Sequence, residues 1–372
     1  MIPGPTPVPE SVLLALAKHP IGHRSKEFSK IFTDANEKLK AIAKTKNDVF
    51  IYTASGTGAM EAAISNTINR GDKVLSLVIG VFGQRFADIA KIYGAELDII
   101  KAEMGTAIQL EDLKAKLDAD TDKKIKAVTL THSETSTGTA NDLKALIPLI
   151  KEHGALVMVD AVTSLGCMEL NTDELGIDVL VSGSQKGFMV PPGLSFVFVS
   201  TKAMAAKAEC TQPNYYFCWN QAKKALSDNT TPWTPNVSLI IALDTALSMM
   251  MAEGIDQIIS RHARLRDMLR AGIKALGLKL LTADETASAA ITAIYPPEGI
   301  SVPEIRASLK NDWNIVVANG QKELTDKIFR MGHLGFVSER DILTGLSALE
   351  AVLTKLGYQC EKRTALKACG AV

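Results

Sequence analysis

The chain is poor in the residues that build disulfide scaffolds and metal knuckles. Its 372 residues include five cysteines, at positions 167, 210, 218, 360 and 369, and no two of them form a C-x-x-C pair. An odd number of cysteines argues against a disulfide framework, and their spacing argues against a zinc or iron–sulfur site. The six histidines are scattered along the chain. We therefore expect free thiols in a reducing compartment and no metal centre.

A net charge and a long apolar run are also missing. Lys and Arg total 41, as do Asp and Glu, so no field of one sign favours nucleic acid or an anionic membrane. The longest apolar stretch runs from Val237 to Ala252, contains Asp244 and is too short to span a bilayer, which predicts a buried helix. The N-terminus has no basic start followed by an apolar run, so we expect no signal peptide and a cytoplasmic protein.

Strand-like and helix-like patterns alternate from about residue 48 to residue 200. Short β-branched runs predict seven strands, at Val49–Thr53, Lys73–Val78, Leu97–Lys101, Lys126–Thr131, Leu156–Asp160, Val179–Ser182 and Ser195–Val199. Amphipathic stretches between the runs predict helices. This alternation is typical of an α/β fold with a mostly parallel seven-stranded sheet covered on both faces. In such sheets ligands bind beyond the carboxyl ends of the strands, where the chemistry is therefore expected.

The length and a change of pattern predict more than one domain. Residues 1–15 begin with a proline-rich run and are predicted to be an extended arm. Residues 16–254 are predicted to form a large domain, and residues 255–372 a smaller α+β domain. Short strands are expected in the latter, at Lys279–Leu281, Ala290–Tyr295, Ile315–Val317 and Lys327–Met331.

A turn of small residues follows the first predicted strand. It reads Ala54-Ser55-Gly56-Thr57-Gly58 and leads into a helical pattern. Glycine lets backbone N–H groups approach an anion, and a helix N-terminus adds favourable partial charge. The turn departs from the P-loop and from the dinucleotide-binding fingerprint, because it has neither the P-loop lysine nor the third glycine, whose place Glu61 occupies. It suits a phosphate group, although an ordinary helix cap explains it as well.

Two other predicted strands end in titratable residues. Asp160 closes an apolar strand, and a buried carboxylate is costly without a partner. Lys186 follows a second apolar strand within the turn Ser182-Gly183-Ser184-Gln185. A loop hydrogen bond and a surface charge are the ordinary explanations. An amine for a Schiff base, a carboxylate for a ring nitrogen and a phosphate cup are together what pyridoxal phosphate (PLP) requires, so the combination favours that cofactor.

The chain also resembles the class V aminotransferases of PLP fold type I, especially the alanine–glyoxylate and serine–glyoxylate (serine–pyruvate) branch. The motifs that carry the resemblance run in family order across nearly the whole chain: Gly4-Pro5, Gly22-His23-Arg24-Ser25, Ser55-Gly56-Thr57-Gly58, Gly80-Val81-Phe82-Gly83-Gln84-Arg85, His132-Ser133-Glu134-Thr135-Ser136-Thr137-Gly138, Val159-Asp160-Ala161-Val162-Thr163-Ser164, Ser182-Gly183-Ser184-Gln185-Lys186 and Arg330-Met331-Gly332-His333.

The resemblance implies a role for particular residues. Lys186 would form the Schiff base with PLP, and Asp160 would pair with its ring nitrogen. The other residues expected to contact the cofactor are Ser55, Gly56, Thr57 and Gln185 at the phosphate, Phe82 and Val162 on the two ring faces, and Thr135 near the phenolic oxygen. Gly4 and Arg330 would contact the substrate, Arg330 through a two-pronged hydrogen bond with its carboxylate. Thr234 would reach the phosphate site of a partner subunit, which implies a homodimer.

One residue departs from this branch, which commonly has tryptophan where the chain has Phe82. Phenylalanine keeps an aromatic face but lacks the indole N–H and some area. The substitution leaves cofactor affinity and substrate preference in question.

The leading hypothesis is transfer of the amino group of alanine or serine to a 2-oxo acid such as glyoxylate or pyruvate, with ping-pong kinetics. A class V lyase resembling a cysteine desulfurase needs a nucleophilic cysteine late in the chain, and none lies between Cys218 and Cys360. A phosphonate-specific aminotransferase would share the cofactor residues and stays open. A non-enzymatic α/β scaffold, in which Lys186 is merely structural, is the remote alternative. Some relatives of the family are labelled hydrogenase subunits, a chemistry for which this chain has no cysteine cluster.

Overall fold

A computed structural model describes residues 1–370. The helices are α1 (Glu10–Leu16), α2 (Lys26–Ala43), α3 (Gly56–Thr67), α4 (Val81–Ile92), α5 (Leu110–Asp118), α6 (Leu143–His153), α7 (Thr172–Leu175), α8 (Thr201–Glu209), α9 (Trp219–Ser227), α10 (Val237–Glu253), α11 (Ile255–Ala275), α12 (Val302–Trp313), α13 (Glu339–Lys355) and α14 (Thr364–Ala368). The strands are β1 (Asp48–Tyr52), β2 (Lys73–Val78), β3 (Glu96–Lys101), β4 (Ile125–Thr131), β5 (Ser133–Glu134), β6 (Thr139–Ala140), β7 (Leu156–Asp160), β8 (Val179–Gly183), β9 (Ser195–Val199), β10 (Ile291–Ile294), β11 (Ala318–Asn319) and β12 (Phe329–Gly332).

Seven strands form the central sheet, in the order β1-β9-β8-β7-β4-β2-β3. Strand β9 alone runs against the others, because it pairs antiparallel with both β1 and β8. The remaining six strands therefore end at one edge. The predicted mostly parallel α/β sheet is confirmed, and each of the seven strands predicted for this sheet agrees with the observed one to within one residue.

Both faces of the sheet are covered by helices, which explains why its strands read as continuous apolar runs. In β7, Val157 and Val159 contribute to one hydrophobic cluster while Met158 contributes to the cluster on the opposite face. Helices α2, α6 and α10 supply the first cluster, and α3 and α4 supply the second. Because burial of an unpaired polar group on either face costs free energy, the polar side chains concentrate at the strand ends.

The first segment of the chain differs from its prediction. Residues 1–9 are not helical, as expected, but residues 10–16 form α1, so the prediction of an extended arm over residues 1–15 was wrong at its C-terminal end. Pro9 occupies the N-cap of this helix, where a missing N–H costs nothing, and Glu10 adds a favourable negative charge to the first turn. Val12 and Ala15 are buried in the cluster that α10 also supplies. The prolines therefore precede a helix rather than prevent one.

A second, three-stranded antiparallel sheet follows α11, in the order β10-β12-β11. Ile294 on β10 and Phe329 and Met331 on β12 belong to a separate hydrophobic cluster that also contains residues of α11, α12 and α13. This separation supports a domain boundary near residue 255, which stays a prediction. Two predicted strands were misplaced: Ile315–Val317 is not a strand, because β12 pairs with Ala318–Asn319, and Lys279–Leu281 supplies only a single bridge, Leu280 to Ile294.

No single helix among residues 1–370 is long and apolar enough to cross a membrane, although α10 and α11 pass that test as a pair bent by 85°. Helix α10 is largely buried, as predicted for the apolar stretch from residue 237 to residue 252.

The packing of the sheet makes a testable prediction about stability. Phe196 on β9 is fully buried and lies edge-on to Phe188, with ring centroids 5.1 Å apart. Phe196→Ala would leave a cavity, and we expect it to lower the free energy of unfolding by about 3–5 kcal/mol in denaturant titrations. Ile92→Ala is the control, because Ile92 is 77% exposed and its loss should change little. Equal losses in the two variants would contradict this description of the core.

Candidate active site

A cavity of about 280 Å³ lies at the edge where the six strands end. The turns after β1 and β8, the end of β7, the first turn of α4 and the N-terminal segment form its walls. It is lined by Gly4, Pro5, Ser55, Gly56, Thr57, Met60, Phe82, Arg85, Thr135, Asp160, Val162, Thr163, Gln185, Lys186 and Pro192. All the site residues named from the sequence are among them, except Thr234 and Arg330. The structure therefore brings these residues together, while the role of each stays a prediction.

Lys186 is a buried amine held by the N-terminal segment. Its Nζ donates a hydrogen bond to the carbonyl of Pro3 at 2.5 Å, and the hydroxyl of Thr6 donates to the carbonyl of Lys186 at 2.9 Å. Burial, aided by the charge of Arg330 and opposed by Asp160, lowers the pKa of Lys186 to about 8. The lowered pKa increases the fraction of neutral amine near neutral pH, and the neutral amine is the nucleophilic form.

Asp160 ends β7 and is also buried. One carboxyl oxygen accepts a hydrogen bond from the N–H of Val162 at 2.9 Å, and the other lies 3.5 Å from the hydroxyl of Thr131. Burial, aided by the nearby Glu134, raises the pKa of Asp160 to about 7. A cation beside this carboxyl group would favour the ionised form, as the pairing with a protonated ring nitrogen requires.

The N-terminus of α3 opens into the cavity. Ser55 occupies its N-cap position without a side-chain hydrogen bond, so the first N–H groups of the helix are not capped by it. A Cβ atom on Gly56 would lie 2.7 Å from Val162 Cγ2, so only glycine brings the backbone this close. The Oε1 atom of Gln185 is buried and has no hydrogen-bond partner among residues 1–370. The helix N–H groups fit a phosphate group, so this turn suits PLP. The Oε1 atom only accepts hydrogen bonds, so Gln185 would bind a phosphate through its NH2 group.

The side chains of α4 complete one wall. The guanidinium of Arg85 lies 4.7 Å from the centroid of the Phe82 ring and donates a hydrogen bond to the hydroxyl of Thr57 at 3.0 Å. Sequence reasoning assigned no role to Arg85. Its position three residues after Phe82 on a helix was the available signal, because residues at that spacing share a face. On another wall, the hydroxyls of Thr135 and Thr163 are hydrogen-bonded at 2.6 Å.

Arg330 lies on β12, just behind Thr135. Its Nη1 donates to the carbonyl of Thr135 at 2.7 Å and its Nε donates to the carbonyl of Asn319 at 2.8 Å, which fixes the plane of the guanidinium. Burial lowers the pKa of Arg330 to about 10, so the group is still a cation at neutral pH. Thr234 lies elsewhere, in a shallow depression with Tyr52 and Trp233. Its expected contact is with a partner subunit, and that stays a prediction.

The cysteines do not approach one another closely enough to bond, and all five are free thiols. Cys167 lies closest to the site, and burial raises the pKa of its thiol to about 12. Within residues 1–370, no three His, Cys, Asp or Glu side chains are grouped so that they could hold a metal ion.

Comparison with known proteins gives one family throughout. The family model described as aminotransferase class-V matches residues 3–332. The chain is 50% identical to a soluble hydrogenase 42 kDa subunit of Anabaena cylindrica, over 96% of this chain and 94% of that one. It is 44% identical to an uncharacterised aminotransferase of Methanocaldococcus jannaschii, over 97% and 94% respectively. It is 35% identical to the serine–glyoxylate aminotransferase of Arabidopsis thaliana, over 96% and 90%.

Solved structures agree with these sequence relatives. The ureidoglycine–glyoxylate aminotransferase of Bacillus subtilis superimposes with a TM-score of 0.94 at 30% identity, covering 99% of this chain and 96% of that one. The alanine–glyoxylate aminotransferase of Nostoc sp. superimposes with a TM-score of 0.91 at 32% identity, covering 95% and 94%.

The raised pKa of Asp160 predicts a pH-dependent stability. Because this pKa is about 7 in the folded protein and 3.8 in a free aspartate, the folded state binds more protons between these values, and stability falls as the pH rises through that window. In protein freed of PLP, Asp160→Asn should raise the unfolding temperature above pH 7 and raise it less towards pH 4. Asp178→Asn is the control and should lower stability, because Asp178 accepts hydrogen bonds from Val157 N–H and Ser200. A gain at Asp160 that does not vary with pH would contradict the assigned pKa.

Proposed function

The chain belongs to the class V aminotransferases and is a PLP-dependent enzyme, and we propose that it moves the amino group of alanine or serine to a 2-oxo acid such as glyoxylate or pyruvate. One observation carries the site assignment: a buried lysine, a buried carboxyl and an uncapped helix N-terminus line a single small cavity. The names of the Arabidopsis and Nostoc proteins support a small amino donor and glyoxylate as acceptor.

The residues that hold PLP follow from the walls of the cavity. We assign the phosphate to the N-terminus of α3 with Ser55, Thr57 and Gln185, the ring nitrogen to Asp160, and one ring face to Phe82. When bound, PLP takes up the amino group of the substrate and stabilises the negative charge that develops at its α-carbon. Asp160 keeps the ring nitrogen protonated, because an ionised carboxylate in a buried site strongly favours a neighbouring cation.

Lys186 is the residue we assign to proton transfer at the substrate α-carbon. Its pKa is lowered to about 8, so Nζ can accept a proton near neutral pH and release it again. A general base works best when its pKa is close to the working pH. The only hydrogen bond of Nζ within residues 1–370 goes to a backbone carbonyl, which does not compete for the charge as a carboxylate would.

Arg330 and the N-terminal segment are assigned to the substrate. Two backbone carbonyls fix the guanidinium of Arg330, and its remaining N–H groups are available for a carboxylate. A Cβ on Gly4 would lie 2.9 Å from the Lys186 side chain, so the segment packs directly over the amine and limits the access of water.

We also propose a cytoplasmic homodimer. The free state of all five cysteines supports a reducing compartment. Tyr215 is 76% exposed and stacks on Trp233, next to Thr234, which supports this face as the contact with a second subunit. Light scattering during gel filtration tests the pairing, and the double variant Tyr215→Ser with Trp233→Ser should shift the protein towards the monomer.

A lyase and a phosphonate-specific transaminase are the remaining alternatives, whereas membership of this enzyme family argues against the non-enzymatic scaffold. For the lyase, the nearest thiol is Cys167, whose pKa of about 12 leaves almost no thiolate near neutral pH. An absorbance experiment on the purified protein separates these alternatives from the proposed reaction.

Purified protein should show a visible absorbance band from PLP bound to Lys186. Addition of alanine or serine alone should discharge the band, and glyoxylate should restore it. Lys186→Ala should lose the band, whereas Lys207→Ala, which changes another buried lysine on α8, should keep it. A band that no amino acid discharges would support a lyase. Discharge of the band by an aminophosphonate would support a phosphonate-specific transaminase. Absence of the band in the presence of added PLP would overturn the assignment of Lys186.

Arg330→Lys should weaken binding of the substrate and leave binding of the cofactor unchanged. Loss of a two-pronged hydrogen bond to a carboxylate costs about 2–3 kcal/mol, so we expect kcat/KM for alanine to fall about 30- to 200-fold through KM. The visible band should keep its intensity. Arg306→Lys is the control, since Arg306 on α12 donates its hydrogen bond to the carbonyl of Val317 and, unlike Arg330, is assigned no part in substrate binding. An unchanged KM in Arg330→Lys would remove Arg330 from substrate binding.

A further inference from the structure

Glu134 is a fully buried carboxylate to which none of the roles above is assigned. Its Oε2 accepts hydrogen bonds from the N–H groups of Phe82 at 3.0 Å and Gly83 at 3.1 Å. Its Oε1 accepts from the N–H of Ser136 at 3.0 Å and from the hydroxyl of Ser136 at 2.6 Å. All four partners are donors, and a carboxylate, which only accepts, satisfies them together.

These bonds cap helix α4 from outside the helix. The N-cap residue is Gly80, which has no side chain to offer, and the Ser136 hydroxyl accepts from Val81 N–H at 3.0 Å. Together with Glu134 it therefore satisfies the N–H groups of the first three residues of α4. The negative charge also lies at the positive end of the helix dipole, where it is favourable.

The identity of residue 80 follows from this arrangement. A Cβ on Gly80 would lie 2.4 Å from the Ser136 hydroxyl oxygen and 2.5 Å from Cγ of Glu134. The side chain of Glu134 therefore occupies the space that an ordinary N-cap side chain would fill. Gly80, Glu134 and Ser136 form one structural unit, although more than fifty residues separate Gly80 from the other two along the chain.

This unit joins two walls of the cavity. Phe82, whose N–H binds Glu134, lines one wall, and Thr135, which follows Glu134 in the chain, lines another. The carbonyl of Thr135 accepts the hydrogen bond from Arg330, and its hydroxyl bonds to Thr163. A shift of the carboxylate would therefore move the aromatic ring and the backbone that holds the arginine.

We propose that Glu134 is a positioning residue of the active site, which sets the Phe82 ring against the Thr135 segment so that both fit the bound cofactor. The proposal rests on the proposed function, because it assumes that PLP occupies this cavity. An ordinary structural cap would contribute to stability alone. A positioning residue must also change how the cofactor is held when the helix is still folded.

Glu134→Gln is the decisive variant. An amide has one accepting oxygen, so its NH2 group must face either the N–H pair of α4 or Ser136. In the first case both helix N–H groups lose their acceptor, and in the second the NH2 group can donate to the Ser136 hydroxyl but the Ser136 N–H loses its acceptor. In the holoenzyme we expect faster hydrogen exchange over residues 81–84. We also expect weaker visible circular dichroism per bound cofactor, and a dissociation constant for PLP, measured by equilibrium dialysis, about tenfold higher, which corresponds to about 1.4 kcal/mol.

Asp120→Asn is the matched control. Asp120 is also a nearly buried carboxylate, and it accepts a hydrogen bond from Ile125 N–H at the opposite end of the sheet. It should lower the unfolding temperature and leave the dichroism and the PLP dissociation constant unchanged. If Glu134→Gln keeps the wild-type dichroism and dissociation constant, Glu134 is only a cap and the proposal is overturned.

Ser136→Ala keeps the test decisive if Glu134→Gln does not fold. It removes the bond to Val81 N–H and one donor to Glu134, but it leaves the bonds to Phe82 and Gly83. We expect the PLP dissociation constant to rise less than tenfold, and both it and the dichroism to change more than they do in Asp120→Asn. Values equal to those of Asp120→Asn would overturn the proposal. Wild-type protein that gives no visible band with PLP would instead contradict the proposed function, which separates the two failures.

Discussion

Burial of two titratable groups of opposite kind, Lys186 and Asp160, is the constraint on which the site depends. Each lies at the end of a strand whose neighbours are apolar on both faces, and burial is the largest cause of both pKa shifts. Desolvation pushes the amine and the carboxyl towards their neutral forms. A neutral amine is a nucleophile and can carry protons, whereas a cation beside the carboxyl group would favour its ionised form. The buried strand ends therefore shift both pKa values by excluding water from the two groups.

The N-terminal segment contributes to this exclusion of water. The N–H of Gly332, two residues after Arg330, donates to the carbonyl of Met1, and Lys186 donates to the carbonyl of Pro3. The segment thus runs between the two sheets and touches both the amine and the strand that carries the arginine. Each contact uses backbone carbonyls, which places polar groups at the cavity without adding charge to it.

The relatives have names of two kinds, hydrogenase subunit and aminotransferase, while the fold and the cavity agree with the second. The cavity residues supply an amine, a carboxyl group and a helix N-terminus, and Arg330 lies just behind Thr135 in the cavity wall. The proposed transamination would use this set. Phe82 stands where this branch commonly has tryptophan, and Arg85 packs on its ring. The cation–π contact gives the smaller ring a second support from α4.

The sequence by itself determined the sheet, because apolar runs record burial on both faces, and it determined the cavity residues that follow strand ends, because parallel strands end at one edge. It located Lys186 and Asp160 for that reason. Only the tertiary structure decided contacts between distant segments, such as Pro3 with Lys186 and Glu134 with α4. It also decided that α1 begins directly after Pro9, because burial of its apolar side supplies the stability that a short helix lacks alone. Local sequence patterns predict burial and turns, whereas contacts between residues distant in the chain produce no periodic pattern in the sequence.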